Sequence, residues 1–275
     1  MDGNTALTLL QSKDAHRLMG VALGDQPAQT AIVNARVVNV YTAEVLPGQT
    51  ILIDGAWIAY VGEDRDFDFS RTTRVIDAAG RVIIPGLIDG HTHLAWFFSV
   101  PEFLKAAIPG GTTTIITEAL EPYPVAGYEG ICDFLASLVD QPIKIFATAP
   151  AMASISRQTI GIRPKDLQRL LQRDDILGLG ESYWQMVLQQ PQRLLPSLTE
   201  TLIAGKRLEG HSAGARGRKL AAYAATGISS CHEPISADEA LARLRLGIYV
   251  MALDGSIRRD LHAIDAIQDQ AVDLR

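Results

Sequence analysis

The second part of the chain alternates short apolar strands with helices seven times, and this alternation restricts the fold more than any other feature. Strand segments include TTTIIT, PIKIFAT and GIYVMAL, and the stretches between them have the apolar spacing of helices. Strands that alternate with helices form parallel sheets with helical crossovers. We therefore predict an α/β protein, either a (β/α) barrel or an open doubly wound sheet. A closed barrel has eight strands, so we expect the last strand to lie beyond Arg275.

The part before residue 86 has a different pattern, in which short β segments are divided by turn residues. Pro47-Gly48, Asp54-Gly55 and Ala79-Gly80 stand where hairpins require a fixed or positive φ. These patterns predict three parts: an N-terminal helical segment over residues 1–29, a small β-sandwich-like domain over 30–85, and an incomplete (β/α) barrel of about seven strands over 86–275.

Charge and cysteine usage exclude several classes of protein. The chain has 31 acidic and 25 basic residues, so no positive field attracts it to nucleic acid. Its two cysteines, Cys132 and Cys231, form neither a disulfide framework nor a zinc knuckle, which indicates a reducing, cytoplasmic location. It has no run of 18 apolar residues and no signal peptide, so we expect no membrane association. The expected partner is a small-molecule substrate.

Two histidines follow an apolar strand in the segment PGLIDGHTH. His91 and His93 are separated by one residue, so in a strand both side chains lie on one face. The carboxyl end of a barrel strand is the edge at which such enzymes carry out their chemistry. We therefore predict that both imidazoles bind one metal ion.

Three later strands also end in a potential metal ligand, namely Glu181, His211 and His232. The carboxyl ends of parallel strands lie along one edge of a sheet, so these side chains are expected near the first two histidines. One carboxylate with four imidazoles suits Zn²⁺, Mn²⁺ or Fe²⁺, and a glutamate can bridge two ions. The sequence thus predicts one or two divalent metal ions.

A serine esterase is the rival enzyme. The segment GHSAG places Ser212 in a G-x-S-x-G pattern between a strand and a helix, as in a nucleophile elbow. Asp254 or Asp260 and then His262 follow in the order that such a triad requires. The preceding strand is too polar for a central strand, however, and the esterase leaves His91, His93, Glu181 and His232 unexplained.

Several segments together resemble the amidohydrolase superfamily, and within it the N-terminal half of adenine deaminases. They are PGLIDGHTH, GLGES, LEGHSAGARGRKLAAYAATGISSCHEP and LRLGIYVMALDGS. The resemblance implies a metal-dependent barrel in which His91 and His93 hold one ion, His211 and His232 hold the other, and Glu181 lies between them. It also implies hydrolysis of adenine to hypoxanthine and ammonia by a metal-activated hydroxide. Glu233 is the candidate general acid or base.

The sequence departs from this family in its substrate loops and at its end. AWFF and TEALEP replace the family's usual segments after the first two barrel strands, and we expect Trp96 and Glu118 in these loops to contact the substrate. The alternative substrate is therefore another cyclic amide or amidine. The eighth strand and its aspartate are absent, so we expect a complementing chain, a homo-oligomer, or a catalytically incomplete fragment.

Overall fold

The computed structural model describes residues 12–63, 67–72, 74–96, 98–152, 161–255, 258–270 and 272. The chain divides into two compact units, one that ends at Gly86 and one that begins at Leu87. No helix in the described part of the chain is long and apolar enough to cross a membrane.

The unit before Leu87 is a mixed sheet with one helix. Its elements are α1 (Ser12–Ala22), β1 (Thr30–Asn39), β2 (Glu44–Asp54), β3 (Trp57–Glu63), β4 (Arg74–Asp77) and β5 (Val82–Ile83). The strand order is β3-β2-β1-β4, and β5 also pairs with β1. The pairs β1–β2 and β2–β3 are antiparallel, whereas β4 and β5 run parallel to β1. Val21 of α1 packs with Ala31 and Leu52 of the sheet in a small apolar core.

One predicted turn in this unit is wrong. Pro47-Gly48 lies inside β2, where Gly48 has a φ of 64°. The chain instead reverses between β1 and β2 after Asn39, whose side-chain oxygen accepts hydrogen bonds from the backbone N–H groups of Tyr41 and Thr42. Asparagine forms such turns with its own side chain, so a proline-glycine pair was not needed here. The Asp54-Gly55 turn between β2 and β3 is confirmed.

The unit from Leu87 onward contains seven parallel strands and their helices within the described residues. Its elements are β6 (Leu87–Thr92), α2 (Val100–Ala107), β7 (Thr112–Glu118), α3 (Pro122–Ser137), β8 (Lys144–Pro150), α4 (Pro164–Leu171), β9 (Ile176–Tyr183), α5 (Trp184–Gln189), α6 (Pro191–Ile203), β10 (Arg207–His211), α7 (Gly217–Ala224), β11 (Ser230–Cys231), α8 (Ala237–Leu244), β12 (Tyr249–Val250) and α9 (Leu261–Asp265). The strand order follows the sequence from β6 to β12. The predicted parallel sheet of seven strands is confirmed.

The core of this unit lies around its central strands. Every residue of β8 after Lys144 is buried, because helices cover parallel strands on their outer face. Ile115, Ala147 and Leu179 from three neighbouring strands are completely buried in one apolar cluster. The sheet is therefore fixed by packing at its centre, and β6 and β12 are its two edges in the described part of the chain.

Candidate metal centre

Four imidazoles surround one carboxylate oxygen, Oε1 of Glu181 in β9. The ring nitrogens nearest to this oxygen are Nε2 of His232 at 3.1 Å, Nδ1 of His211 at 3.4 Å, Nε2 of His91 at 3.6 Å and Nε2 of His93 at 3.7 Å. All five side chains come from the carboxyl ends of β6, β9, β10 and β11 or from the residue that follows. The structure thus brings together the five residues that the sequence singled out as metal ligands.

This cluster requires a strongly curved sheet. The strands β6 and β11 are five places apart in the strand order, and neighbouring strands are about 4.8 Å apart, so a flat sheet would separate them by roughly 24 Å. The imidazoles of His91 and His232 are nevertheless stacked, with ring centres 3.5 Å apart and planes inclined by 8°. The curvature therefore brings distant strand ends to one place.

The candidate ligands form two sets that share Glu181, and a third set of His91, Glu209 and His232 lies beside them. His91, His93 and Glu181 form one set, and Glu181, His211 and His232 form the other, with the ligand atoms of each within 4.8 Å of one another. Imidazole nitrogens and carboxylate oxygens are the donors that first-row divalent ions accept. The residues present therefore fit one or two such ions.

Two further glutamates, which the sequence analysis missed, contact the outward nitrogens of these rings. Oε1 of Glu121 lies 2.6 Å from Nδ1 of His93. Glu209 of β10 contacts Nδ1 of both His91 and His232. Metal-binding histidines commonly have their second nitrogen on a carboxylate, so these contacts are typical of a metal centre.

Glu181 is held in its charged form. Burial raises the pKa of its carboxyl group, but hydrogen bonds with His211, His232 and His93 outweigh burial and move the pKa far below its ordinary value. The hydroxyl of Tyr183 donates a further hydrogen bond of 3.0 Å to Oε2 of Glu181. A buried negative charge is therefore available at the point shared by both ligand sets.

The neighbouring histidines attract protons in this environment. Burial lowers the pKa of His93, yet its hydrogen bonds with Glu121 and Glu181 raise it to about 10. Burial also lowers the pKa of His232, and Glu181 and Glu209 together raise it to about 10. The centre thus attracts positive charge, and a bound metal ion would replace these protons.

Glu118 lies at the end of β7 beside the cluster rather than in an open loop. Its side chain is only 1% exposed, and neither carboxylate oxygen has a hydrogen-bond partner among the described residues. Burial and the charges of Glu209 and Glu181 raise its pKa. A methyl group at Gly180 would overlap both oxygens of Glu118, so glycine makes room for this carboxyl group. Substrate contact by Glu118 stays a prediction.

Trp96 and Glu233 lie at the more exposed side of the cluster. The indole of Trp96 stacks on the imidazole of His93 at 4.4 Å and is 55% exposed. Glu233 lies two residues beyond the end of β11, and its Oε1 is 3.9 Å from Nε2 of His232. Oε2 of Glu233 accepts a hydrogen bond from Arg258. The roles predicted for both residues stay predictions.

The serine esterase finds no support. Ser212 is completely buried, its hydroxyl accepts a hydrogen bond of 2.9 Å from Nε of Arg243, and it lies 2.7 Å from Sγ of Cys231. Arg243 also donates to the backbone oxygen of Ser212. His262 is an exposed residue of α9. The serine therefore belongs to a structural network rather than to a nucleophile elbow.

The chain is similar in sequence to curated adenine deaminases. It is 36% identical to one from Cenarchaeum symbiosum over 257 residues, which is 92% of this chain and 42% of the relative. It is 38% identical to one from Moorella thermoacetica over 266 residues, which is 94% of this chain and 44% of the relative. The chain thus spans less than half the length of these relatives. No family model matches it.

Solved structures share the fold of this chain. Molinate hydrolase is 17% identical, with a TM-score of 0.52 over 82% of this chain and 63% of its own. An amidohydrolase crystal structure is 18% identical, with a TM-score of 0.51 over 80% of this chain and 65% of its own. The N-isopropylammelide isopropylaminohydrolase of Burkholderia multivorans is 16% identical, with a TM-score of 0.50 over 86% of this chain and 72% of its own. The predicted barrel architecture of the amidohydrolases is confirmed.

Proposed function

We propose that this chain, which is similar to adenine deaminases over nearly its whole length and has the fold of amidohydrolases, holds the metal centre of a hydrolytic purine deaminase. The reaction is the hydrolysis of adenine to hypoxanthine and ammonia. One observation carries the proposal, namely that ring nitrogens of four histidines lie 3.1–3.7 Å from the same oxygen of Glu181.

The proposed cofactor is one or two divalent ions, Zn²⁺, Mn²⁺ or Fe²⁺. His91 and His93 would hold one ion, His211 and His232 the other, and Glu181 would lie between them. When bound by these residues, such an ion would lower the pKa of water at the centre and so make hydroxide available at neutral pH. The charged carboxylate of Glu181 supports this assignment, because it offers a negative charge to both ligand sets.

The remaining steps fall to residues around the centre. Hydrolysis of an amino group requires a group that takes a proton from water and returns it to the departing ammonia. We assign this proton transfer to Glu233, since Arg258 binds one of its oxygens and the other faces His232. Trp96 lies beside His93 at the exposed side of the cluster, where a planar purine ring would pack against it.

We further propose that an additional strand closes the sheet. It would come from further polypeptide, from a complementing chain or from a second copy in a homo-oligomer. Two observations support this: the relatives are more than twice as long as the matched segment, and β6 and β12 are sheet edges in the described part of the chain. Unpaired edges expose backbone hydrogen-bonding groups. The unpaired thiols of Cys132 and Cys231 support a cytoplasmic location.

The test measures metal content and ammonia release with the same purified protein. We expect one or two ions per chain and release of ammonia from adenine. The double variant His91→Ala/His93→Ala should lose the ion that these rings hold, because two of its three protein ligands are gone. His16→Ala and His262→Ala are matched controls, since both histidines are exposed and lie outside the cluster, and they should retain full metal content.

Two results separate the alternatives. A wild-type protein without stoichiometric metal, or a double variant with unchanged metal content, would refute the proposed metal centre. Metal binding without ammonia release from adenine would refute adenine as the substrate of this chain alone. That result would favour another cyclic amide or amidine, or a reaction that needs the closing strand.

A further inference from the structure

Glu209 touches two rings of the metal centre from the side opposite Glu181. It lies in β10, two residues before His211, and is 5% exposed. Its Oε1 accepts a hydrogen bond of 3.1 Å from Nδ1 of His232. The same oxygen lies 2.7 Å from Nδ1 of His91, but the angles of that contact are not those of a hydrogen bond. One carboxylate oxygen therefore contacts both stacked imidazoles.

The two nitrogens of each ring face different carboxylates. In both His91 and His232, Nε2 faces Glu181 and Nδ1 faces Glu209. A carboxylate only accepts hydrogen bonds, and a neutral imidazole has one N–H group and one lone pair. With an ion at Nε2, the hydrogen bond with Glu209 would keep the proton of His232 on Nδ1. The carboxylate 2.7 Å from Nδ1 of His91 would favour the same tautomer of that ring by its negative charge.

We propose that Glu209 is a positioning residue that fixes the tautomer and orientation of His91 and His232, so that both present Nε2 to the metal centre. The inference rests on the proposed function. Of the two ligand sets that share Glu181, His91 belongs to one and His232 to the other. A single glutamate therefore prepares one ligand for each of two ion sites, and its loss should weaken both sites together.

The other carboxylate near these rings does not have the same geometry. Oε1 of Glu118 lies 3.8 Å from Nδ1 of His91 and has no hydrogen-bond partner among the described residues. Glu209 is 1.1 Å closer to that nitrogen and also binds His232. The contacts therefore assign the positioning role to Glu209 rather than to negative charge in general.

The experiment titrates the metal-free protein with Co²⁺, followed by its visible absorption, and then displaces Co²⁺ with Zn²⁺. We expect Glu209→Gln to weaken binding at both sites by about 10- to 100-fold, the usual effect of losing such a carboxylate. Glu209→Asp keeps the charge on a shorter side chain that cannot reach both rings, so its loss should be intermediate. Glu239→Gln is the matched control, because Glu239 is a buried, hydrogen-bonded glutamate of α8 outside the centre, and it should bind Co²⁺ as the wild type does.

A second measurement on the wild type guards against a variant that fails to fold. Its Co²⁺ form should show hyperfine-shifted, solvent-exchangeable proton signals from the Nδ1–H groups of His91 and His232. Absence of these signals would mean that Nδ1 binds the ion, which would overturn the inference. Equal Co²⁺ affinity in the wild type and in folded Glu209→Gln would also overturn it and leave the proposed function intact. A wild type that binds no Co²⁺ or Zn²⁺ would overturn both.

Discussion

Replacement of Gly180 by alanine should destabilise the protein because the added methyl group has no space. Gly180 lies in β9, next to Glu181, and its backbone passes close to Glu118 and Thr148. A Cβ atom there would overlap both carboxylate oxygens of Glu118 and the hydroxyl of Thr148. Both side chains are at most 4% exposed, so neither can move freely into solvent.

The expected cost follows from this overlap. Extra methyl groups in a well-packed interior usually cost about 1–3 kcal/mol of unfolding free energy. For a unit of this size, each kcal/mol lowers Tm by about 2–4 °C. Glu118→Ala removes the two nearest overlapping oxygens and leaves the Thr148 hydroxyl in the way. The double variant Gly180→Ala/Glu118→Ala should therefore recover about 1 kcal/mol relative to the sum of the single changes.

The assay is denaturant unfolding of the metal-free protein, so that ion binding does not contribute. Gly255→Ala is the control, since among the described residues no heavy atom other than those of its chain neighbours lies within 4 Å of an added methyl group there, and it should unfold within about 0.5 kcal/mol of the wild type. If the effects of Gly180→Ala and Glu118→Ala add within about 0.5 kcal/mol, the reasoning from the overlap is refuted.

Two further predictions concern α8. Arg243→Met should lower the unfolding free energy by about 2–4 kcal/mol, because it leaves the buried carbonyl of Ser212 without its charged donor. The control is Arg245→Met, since Arg245 is exposed. Equal unfolding midpoints for the two variants would contradict the prediction. The pKa of Glu239 is lowered because hydrogen bonds from Arg216 and from the backbone N–H of Ile235 outweigh burial. Its folded pKa is below its unfolded pKa, so it contributes stability above about pH 4.5 that is lost as the pH falls through the folded pKa. Glu239→Gln should therefore flatten the loss of stability in acid, and an unchanged pH profile of the unfolding midpoint would refute this.

Alternation of strands and helices was sufficient to predict the sheet, since periodicity reflects which residues are buried. Strands such as β7 and β9 were found where their apolar segments lie. The sequence patterns did not predict the helices α2 and α5, which have eight and six residues. The apolar segments predicted the ends of the strands less well than their positions, since β12 is shorter than its apolar segment.

The metal ligands were predictable because each stands at a strand end, whereas their supporting carboxylates were not all recognised. Glu209 had a signal in the sequence, since the spacing Glu209-x-His211 places both side chains on one face of β10, the same spacing that His91 and His93 have at the end of β6. Glu121 lies beyond β7, at the start of α3, where strand alternation no longer sets the direction of a side chain. Its contact with His93 depends on the conformation of the short segment between β7 and α3.

The stacked rings of His91 and His232 join β6, one edge of the sheet, to β11, which lies next to the other edge. An ion held as proposed by residues of both ligand sets would bind only the conformation in which β6 and β11 have come together, so metal binding and sheet closure would be thermodynamically linked. At a free ion concentration about 100 times Kd, this linkage stabilises the closed conformation by about 2.7 kcal/mol for one site. Removal of the ion by a chelator should consequently destabilise the closed arrangement of the strands from β6 to β11 as well as empty the centre.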